Sequence, residues 1–257
     1  MSKTKAKDTN NIQDYWESLG KSACPDDVVR DMSIKAIINN FDDGTDLVLD
    51  LGCGNGFCTF KFAEKNVSQI TGADYSKKSV EQAKQAKSFY DSSIIEKINF
   101  AEEDALNLSF DDHSFDTVIT IRCLINVGES ENQISAMKEI YRILKPGGKY
   151  LMCENFTSGL SNLNKVRQSI NLDKIEQRWH NNYIDEKIFF KEAKKFFELE
   201  NEIDFASSYY LLTRVIKAWT SKENGEEPSY NDDFNVMASK IPSVGCFSPM
   251  KLFVLRK

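Results

Sequence analysis

The stretch Leu47-Val48-Leu49-Asp50-Leu51-Gly52-Cys53-Gly54-Asn55-Gly56-Phe57-Cys58-Thr59 constrains the fold more than any other part of the chain. Leu47 to Leu51 is a short apolar run suited to a strand buried on both faces. Gly52, Gly54 and Gly56 remove every second side chain from the turn that follows, and Thr59 to Lys65 continues with helix-compatible residues. A strand, a bare turn and a helix start make a surface on which a ligand can reach backbone amides in the positive field of the helix dipole. The pattern predicts a cofactor loop of the nucleotide type.

Glycine loops are shared by several ligand classes, and the spacing separates them. The dinucleotide fingerprint carries its last glycine or alanine where this chain has Phe57; here the third glycine comes one residue earlier, at Gly56. A phosphate loop ends in Gly-Lys-Ser/Thr, and that ending is missing. Asp50, inside the strand, would repel a pyrophosphate. The pattern Asp50-x-Gly52-x-Gly54-x-Gly56 resembles motif I of the class I S-adenosylmethionine-dependent methyltransferases, whose ligand carries an amino-acid end and no phosphate. The resemblance implies that Asp50, Gly52, Cys53 and Gly54 hold S-adenosylmethionine, with S-adenosylhomocysteine as product.

Further motifs extend the resemblance over roughly residues 45–155. Val67 to Ala73 reads as a second strand closing on Asp74, 20 residues beyond Gly54. An acidic group at that strand tip accepts bonds from ribose hydroxyls in nucleotide folds; the competing role is an N-cap for the helix starting near Ser76. The resemblance puts Tyr75 against the adenine ring, and Asp104-Ala105, after a third strand over Ile98 to Ala101, at the adenine amino group. Glu102 and Glu103 are expected as solvated loop charges. Phe110 to Asp116 leads into the strand Thr117 to Ile121, matching the family's fourth-strand signature, with His113 at the end away from the ligand. Ser130 to Leu144 is an amphipathic helix, and Lys145-Pro146-Gly147-Gly148 stops it before the strand Tyr150 to Cys153. The implied fold is a Rossmann-like three-layer α/β sandwich. It has a mostly parallel seven-stranded sheet, helices on both faces and helical insertions.

Composition sets the outer limits. At 257 residues the chain suits one domain with insertions: a helical cap over 1–43, a cofactor core over 44–155, and acceptor-side insertions with the final strands over 156–257. A net charge of -6 argues against a broad nucleic-acid footprint, which needs a basic face. Six cysteines without a CxxC or a paired histidine read as free thiols in a reducing compartment, not a disulfide frame or metal site. Met1 to Gln13 is a polar tail without a signal-peptide core, and no run approaches the ~20 apolar residues of a membrane span. A cytoplasmic enzyme is expected, acting on a small molecule and not on nucleic acid or a membrane.

The remaining candidates come from the flanks. Tyr15, Trp16 and Leu19 open an apolar-periodic segment, and a helix through Val28, Met32, Ile34, Ile37 and Ile38 runs to about Asn40, before the turn Asp42-Asp43-Gly44. In the resembled family such leading helices cover the cofactor, which makes Tyr15 a cofactor contact; plain core packing is the alternative. Arg122 and Asn126 leave the carboxyl end of the fourth strand, where open α/β sheets bind ligands. Arg122 suits either the methionine carboxylate or an anionic acceptor. A helix follows over Leu160 to Ile170, then another capped by Asp185, a sixth strand over Leu199 to Ala206, apolar positions at helical spacing (Tyr209, Leu212, Ile216, Trp219), a polar loop over Ser221 to Asp232, and a final strand over Leu252 to Leu255.

Between the first two of these helices lies Arg178-Trp179-His180-Asn181-Asn182-Tyr183, rich in aromatic and hydrogen-bonding types; Trp179 and Tyr183 are candidate acceptor contacts. Methyl transfer from a sulfonium is a direct displacement that depends on alignment. An oxygen or nitrogen acceptor must also lose a proton, and His180, with histidine's ordinary pKa near 6.5, is the candidate base. Glu154, at the end of the fifth strand, is the second candidate. The segment after the fourth strand lacks the Pro-Pro-aromatic motif of DNA amino-methylases, and no carboxylate cluster suggests a metal-assisted site. RNA and protein acceptors, and cofactor binding without catalysis, are the competing readings.

Overall fold

The computed structural model describes Tyr15 and residues 26–42, 47–65 and 67–257. The tail over 1–13, Trp16, Leu19, the Asp43-Gly44 part of the first turn and Asn66, where a cap for the helix ending at about Lys65 is expected, lie outside the described residues. Seven strands form one sheet: β1 (Leu47–Leu51), β2 (Gln69–Asp74), β3 (Ile98–Glu102), β4 (Phe115–Ile121), β5 (Leu144–Asn155), β6 (Glu198–Ile203) and β7 (Met250–Arg256). Their order is β3-β2-β1-β4-β5-β7-β6. β1 to β5 are parallel, and β7 runs antiparallel between β5 and β6. After β3 the chain crosses to the other side of β1 to form β4. The loops leaving β1 and β4 therefore diverge and open a crevice at their carboxyl ends.

The helices are α1 (Asp27–Ile38), α2 (Phe57–Ala63), α3 (Lys77–Ala86), α4 (Ser92–Ile95), α5 (Ser130–Ile143), α6 (Thr157–Ser169) and α7 (Glu186–Ala193). Beyond β6 come α8 (Ser207–Leu211), a π-wound turn (Leu212–Ile216), α9 (Lys217–Glu223) and α10 (Asp233–Ala238). Parity along the strands sorts the core into two layers. Val48, Leu151 and Cys153 pack with Ile37, Phe60, Phe62 and Val80. Leu49, Leu51, Tyr150 and Met152 pack with Met137, Ile140 and Phe189 on the other face. Each such side chain contributes about 1.5–3 kcal/mol on burial, which is what holds these short helices on the sheet.

Local chemistry explains where elements begin. Ser76 caps α3 through the Ser79 amide at 3.1 Å, so the cap role weighed for Asp74 belongs to Ser76. Asp185 caps α7 through Lys187 and Ile188. Pairing between β4 and β5 jumps from Phe115–Leu144 to Thr117–Lys149, so Lys145-Pro146-Gly147-Gly148 bulges out of the ladder as a turn. α4 and α10 were not expected; both are short and lack an apolar period. Ile216 and Trp219, expected on the face of Tyr209, are 46% and 43% exposed while Tyr209 is buried. The π-wound turn widens the winding between them and rotates the later positions off that face. Among the described residues no helix is long and apolar enough to cross a membrane.

Candidate functional site

The crevice over β1 and β4 holds a cavity of about 480 Å³, within the range of small-molecule sites. Its floor is the glycine loop. Gly52, Gly54 and Gly56 have φ of 80°, 55° and 80°, the left-handed region that side chains disfavour. The Gly52 and Cys53 amides both donate to the Ala73 carbonyl at 2.7 and 3.0 Å, and Gly56 donates to Cys53 at 3.0 Å. Gly54 donates to Asp74 Oδ2 at 2.8 Å. Four loop amides are thus engaged inside the protein, contrary to the expectation that a ligand takes them; the loop is not built as a phosphate cradle. A β-carbon on Gly52 would lie 2.7 Å from that of Cys123, whereas one on Gly54 would meet nothing within 4 Å. Gly54 borders the cavity, so its missing side chain leaves ligand space.

The acidic residues divide by role. Asp50 is 2% exposed and accepts the Thr59 hydroxyl at 2.6 Å. Burial pushes its carboxyl up to about 7; the Thr59 bond opposes this and the negative Asp74 adds to it. Asp74 spends one oxygen on Gly54 and the other on the Ser76 amide at 2.9 Å. A carboxylate offers about four lone pairs, so acceptor capacity remains toward the cavity it lines. Asp104 accepts the Leu106 amide at 2.9 Å, and with Ala105 and the half-exposed Tyr75 it borders the same space. Glu103 corrects the expectation of a solvated charge. It is 9% exposed and accepts the Ser109 amide at 2.8 Å and hydroxyl at 2.5 Å. Glu102 is exposed as expected.

The opposite wall leaves the end of β4. Arg122 has φ 55°, uncommon for a residue with a side chain. Its amide donates to Cys153 at 3.0 Å and its carbonyl accepts Asn126 Nδ2 at 2.7 Å. Arg122, Asn126, His180 and Tyr183 all line the cavity. The Tyr183 hydroxyl bonds Asn155, and its pKa is raised by burial against the pull of Asn155, Arg122 and Arg178. Both arginines therefore lie near one phenol. His180 is 3% exposed, its ring stacked on Tyr15 with centroids 4.3 Å apart. His113 is exposed in the turn before β4, away from the crevice.

Three sequence candidates sit elsewhere than expected. Trp179 is 51% exposed, edge-on to Tyr15 and His180, and is not a cavity residue. Tyr15 likewise is not among the lining residues; it stacks on His180, which is. Glu154 is fully buried outside the lining, its Oε1 accepting the amides of Cys123 and Leu124 at 2.9 and 3.0 Å. It faces the backbone of the turn and not an acceptor.

The wall nearest α1 was missed. Asp26, Tyr210 and Arg214 line the cavity there. Asp26 accepts the Val29 amide at 3.0 Å and the Tyr209 hydroxyl at 2.9 Å, and forms an ion pair with Arg214, whose guanidinium lies 3.7 Å over the Tyr230 ring. Tyr210 and Arg214 are four positions apart beside Tyr209, a spacing that could have flagged them.

Fold and site define a Rossmann-like protein with a glycine-loop cavity suited to a ligand without phosphates. Residues 48–148 match the family model described as a methyltransferase domain. The chain is 35% identical over 127 residues to the chloroplastic 2-phytyl-1,4-beta-naphthoquinone methyltransferase of Arabidopsis thaliana, covering 49% of this chain and 44% of that protein. It is 38% identical over 108 residues to a demethylmenaquinone methyltransferase of Staphylococcus epidermidis, covering 41% and 42%. These matches span less than half the length of the curated relatives. In fold it is similar to a chain in the complex of the Haloferax volcanii Trm112 methyltransferase activator with a methyltransferase: TM-score 0.60, 18% identity, 95% of this chain and 96% of that one. The likeness to a methyltransferase domain covers residues 48–148, and the Rossmann-like fold extends over most of the chain.

The cavity floor fits S-adenosylmethionine, the cofactor that the sequence resemblance implies. The amides a phosphate would need are engaged, open space lies over Gly54, and Asp74 and Asp104 give the floor an acidic character suited to a cationic ligand.

Proposed function

We propose that this chain transfers a methyl group from S-adenosylmethionine to an oxygen or nitrogen of a small-molecule acceptor. One observation carries the reading: the glycine-loop floor and the Arg122, Asn126, His180 and Tyr183 wall border a single cavity. Two ligands that must react in line need such a shared space. The cofactor supplies an electrophilic methyl on a sulfonium. The chain supplies alignment and proton handling. Asp74 holds the ribose end with the acceptor capacity left on its carboxylate, while Asp104, Ala105 and Tyr75 border the adenine. Arg122 and Arg178 make the acceptor end basic, favouring an acceptor with an anionic or polarised oxygen. His180, shielded from solvent by Tyr15, takes the acceptor proton. The curated relatives are named for small quinone-type substrates, which supports a metabolite over a macromolecule.

The test incubates the purified protein with methyl-labelled S-adenosylmethionine and a lysate split into small-molecule and macromolecular fractions. Label in the small-molecule fraction is the expected result. Label only in RNA or protein overturns the acceptor class, and tight cofactor binding with no transfer supports the non-catalytic reading. His180→Ala is expected to slow transfer about 100-fold or more while sparing cofactor affinity; an unchanged rate removes it as the base.

A further inference from the structure

Glu154 is a buried carboxylate that the proposed chemistry leaves unused. It sits at the carboxyl end of β5 with 0% exposure. Its Oε1 accepts the Cys123 and Leu124 amides at 2.9 and 3.0 Å. These amides open the one-turn 3-10 helix Leu124–Asn126. Immediately before them stands Arg122 at φ 55°. The turn has two working faces. Cys123 packs on Gly52 so closely that a β-carbon there would lie 2.8 Å from Sγ. Arg122 and Asn126 border the cavity.

Among the described residues no salt bridge reaches Glu154. Cys123, Tyr150 and Cys153 face it, each with its proton held on by burial and by the carboxylate itself. Lys251, its register partner on β7, reaches Glu202 at 2.8 Å instead. Burial pushes the Glu154 carboxyl up to about 7, with the turn's amides and the Thr120 hydroxyl opposing the shift. A buried carboxylate without a cation is costly, and an apolar replacement of similar size is often neutral or stabilising. Its contribution therefore lies in what it holds.

We propose that Glu154 is a positioning residue: by accepting the Cys123 and Leu124 amides it holds the turn after β4 in the strained form that displays Arg122 and Asn126 to the acceptor. This rests on the methyl-transfer reading. The glycine loop keeps its own anchors, the Gly52 and Cys53 bonds to Ala73 and the Gly54 bond to Asp74. Loss of Glu154 thus releases the acceptor wall and leaves the cofactor floor in place.

The experiment compares wild type, Glu154→Leu and Glu154→Gln in three measurements: calorimetric S-adenosylmethionine affinity, transfer of labelled methyl into a small-molecule extract, and amide hydrogen exchange at Cys123 and Leu124. Glu154→Leu is expected to keep cofactor affinity within about threefold, lose transfer about tenfold or more, and lose protection at both amides. Glu154→Gln, whose amide oxygen still accepts both bonds, restores transfer to within about threefold and restores protection. Three results overturn the proposal: wild-type transfer by Glu154→Leu, a Glu154→Gln as impaired as Glu154→Leu, or parallel loss of cofactor affinity and transfer. If Glu154→Leu does not fold, Glu154→Gln alone decides: loss of transfer or protection refutes, retention supports. If wild type transfers no label, the methyl-transfer reading fails by itself, and the exchange data still decide what Glu154 holds.

Discussion

Gly54→Ala separates the cost of backbone strain from the cost of filling ligand space. Gly54 has φ 55°, and a β-carbon there meets no atom within 4 Å. The substitution creates no clash, and its effect on stability is the left-handed penalty alone, about 1–2 kcal/mol. For a chain of this length that lowers Tm by a few degrees. The new methyl enters the cavity Gly54 borders. Placing a methyl in space a ligand fills costs about 1–3 kcal/mol of binding, or roughly a 5- to 150-fold rise in Kd. Gly147→Ala is the matched control. Gly147 has φ 77°, also with nothing within 4 Å, but belongs to the turn before the main run of β5. It should lose the same few degrees and bind S-adenosylmethionine like wild type. Thermal unfolding and calorimetry on the two variants decide the matter. Equal cofactor affinity in both would refute the assignment of the space over Gly54 to the cofactor.

Asp74→Ala removes the acceptor of the Gly54 and Ser76 amides as well as the proposed ribose contact, and should weaken S-adenosylmethionine about 100-fold by calorimetry; unchanged affinity removes it from that role. Asp50 gives a signed pH effect. Its folded carboxyl titrates near 7 against an ordinary 3.8. Between those values the unfolded chain has released a proton the folded one retains, so this group lowers stability as pH rises through the window, with its full cost above it. Asp50→Asn should therefore raise Tm above wild type at pH 8 and lose the advantage by pH 4; a pH-independent difference contradicts the burial argument. Asp26→Ala leaves Arg214 as a buried charge without its carboxylate and should destabilise by about 3–5 kcal/mol in urea unfolding; a change under 1 kcal/mol would mean the pair does not fasten the start of α1 to the π-wound turn.

The two halves of the site differ in what made them legible. The glycine-loop floor of the cavity was readable as a shape, because backbone conformation leaves residue-type signatures. Gly52 admits Cys123 at a distance no side chain allows, and Asp74 ends a strand whose register with β1 is fixed by parallel pairing. The expected ligand amides were misread for a related reason. Spacing shows that a turn is bare, but not that its N–H groups already serve Ala73 and Asp74.

The opposite wall, proposed for the acceptor, carries no such signature because tertiary placement decides where each side chain lies. Glu154, a candidate by its strand-end position, lies under the turn because that turn folds back over the end of β5. Trp179 and His180 are adjacent, yet one is half-exposed and the other buried. That difference depends on Tyr15, some 165 residues away, stacking on one ring and standing edge-on to the other. Arg214 owes its place to a π-wound turn that helical spacing does not anticipate. A wall assembled from α1, the turn after β4, the 171–183 segment and the π-wound turn can change its acceptor by changing any one of them, while Gly52, Gly54 and Asp74 stay fixed. On this architecture, substitutions at Arg178 or Tyr183 should alter which labelled product forms while leaving S-adenosylmethionine affinity within about threefold. A parallel loss of both would mean that the cavity does not divide into a cofactor end and an acceptor end.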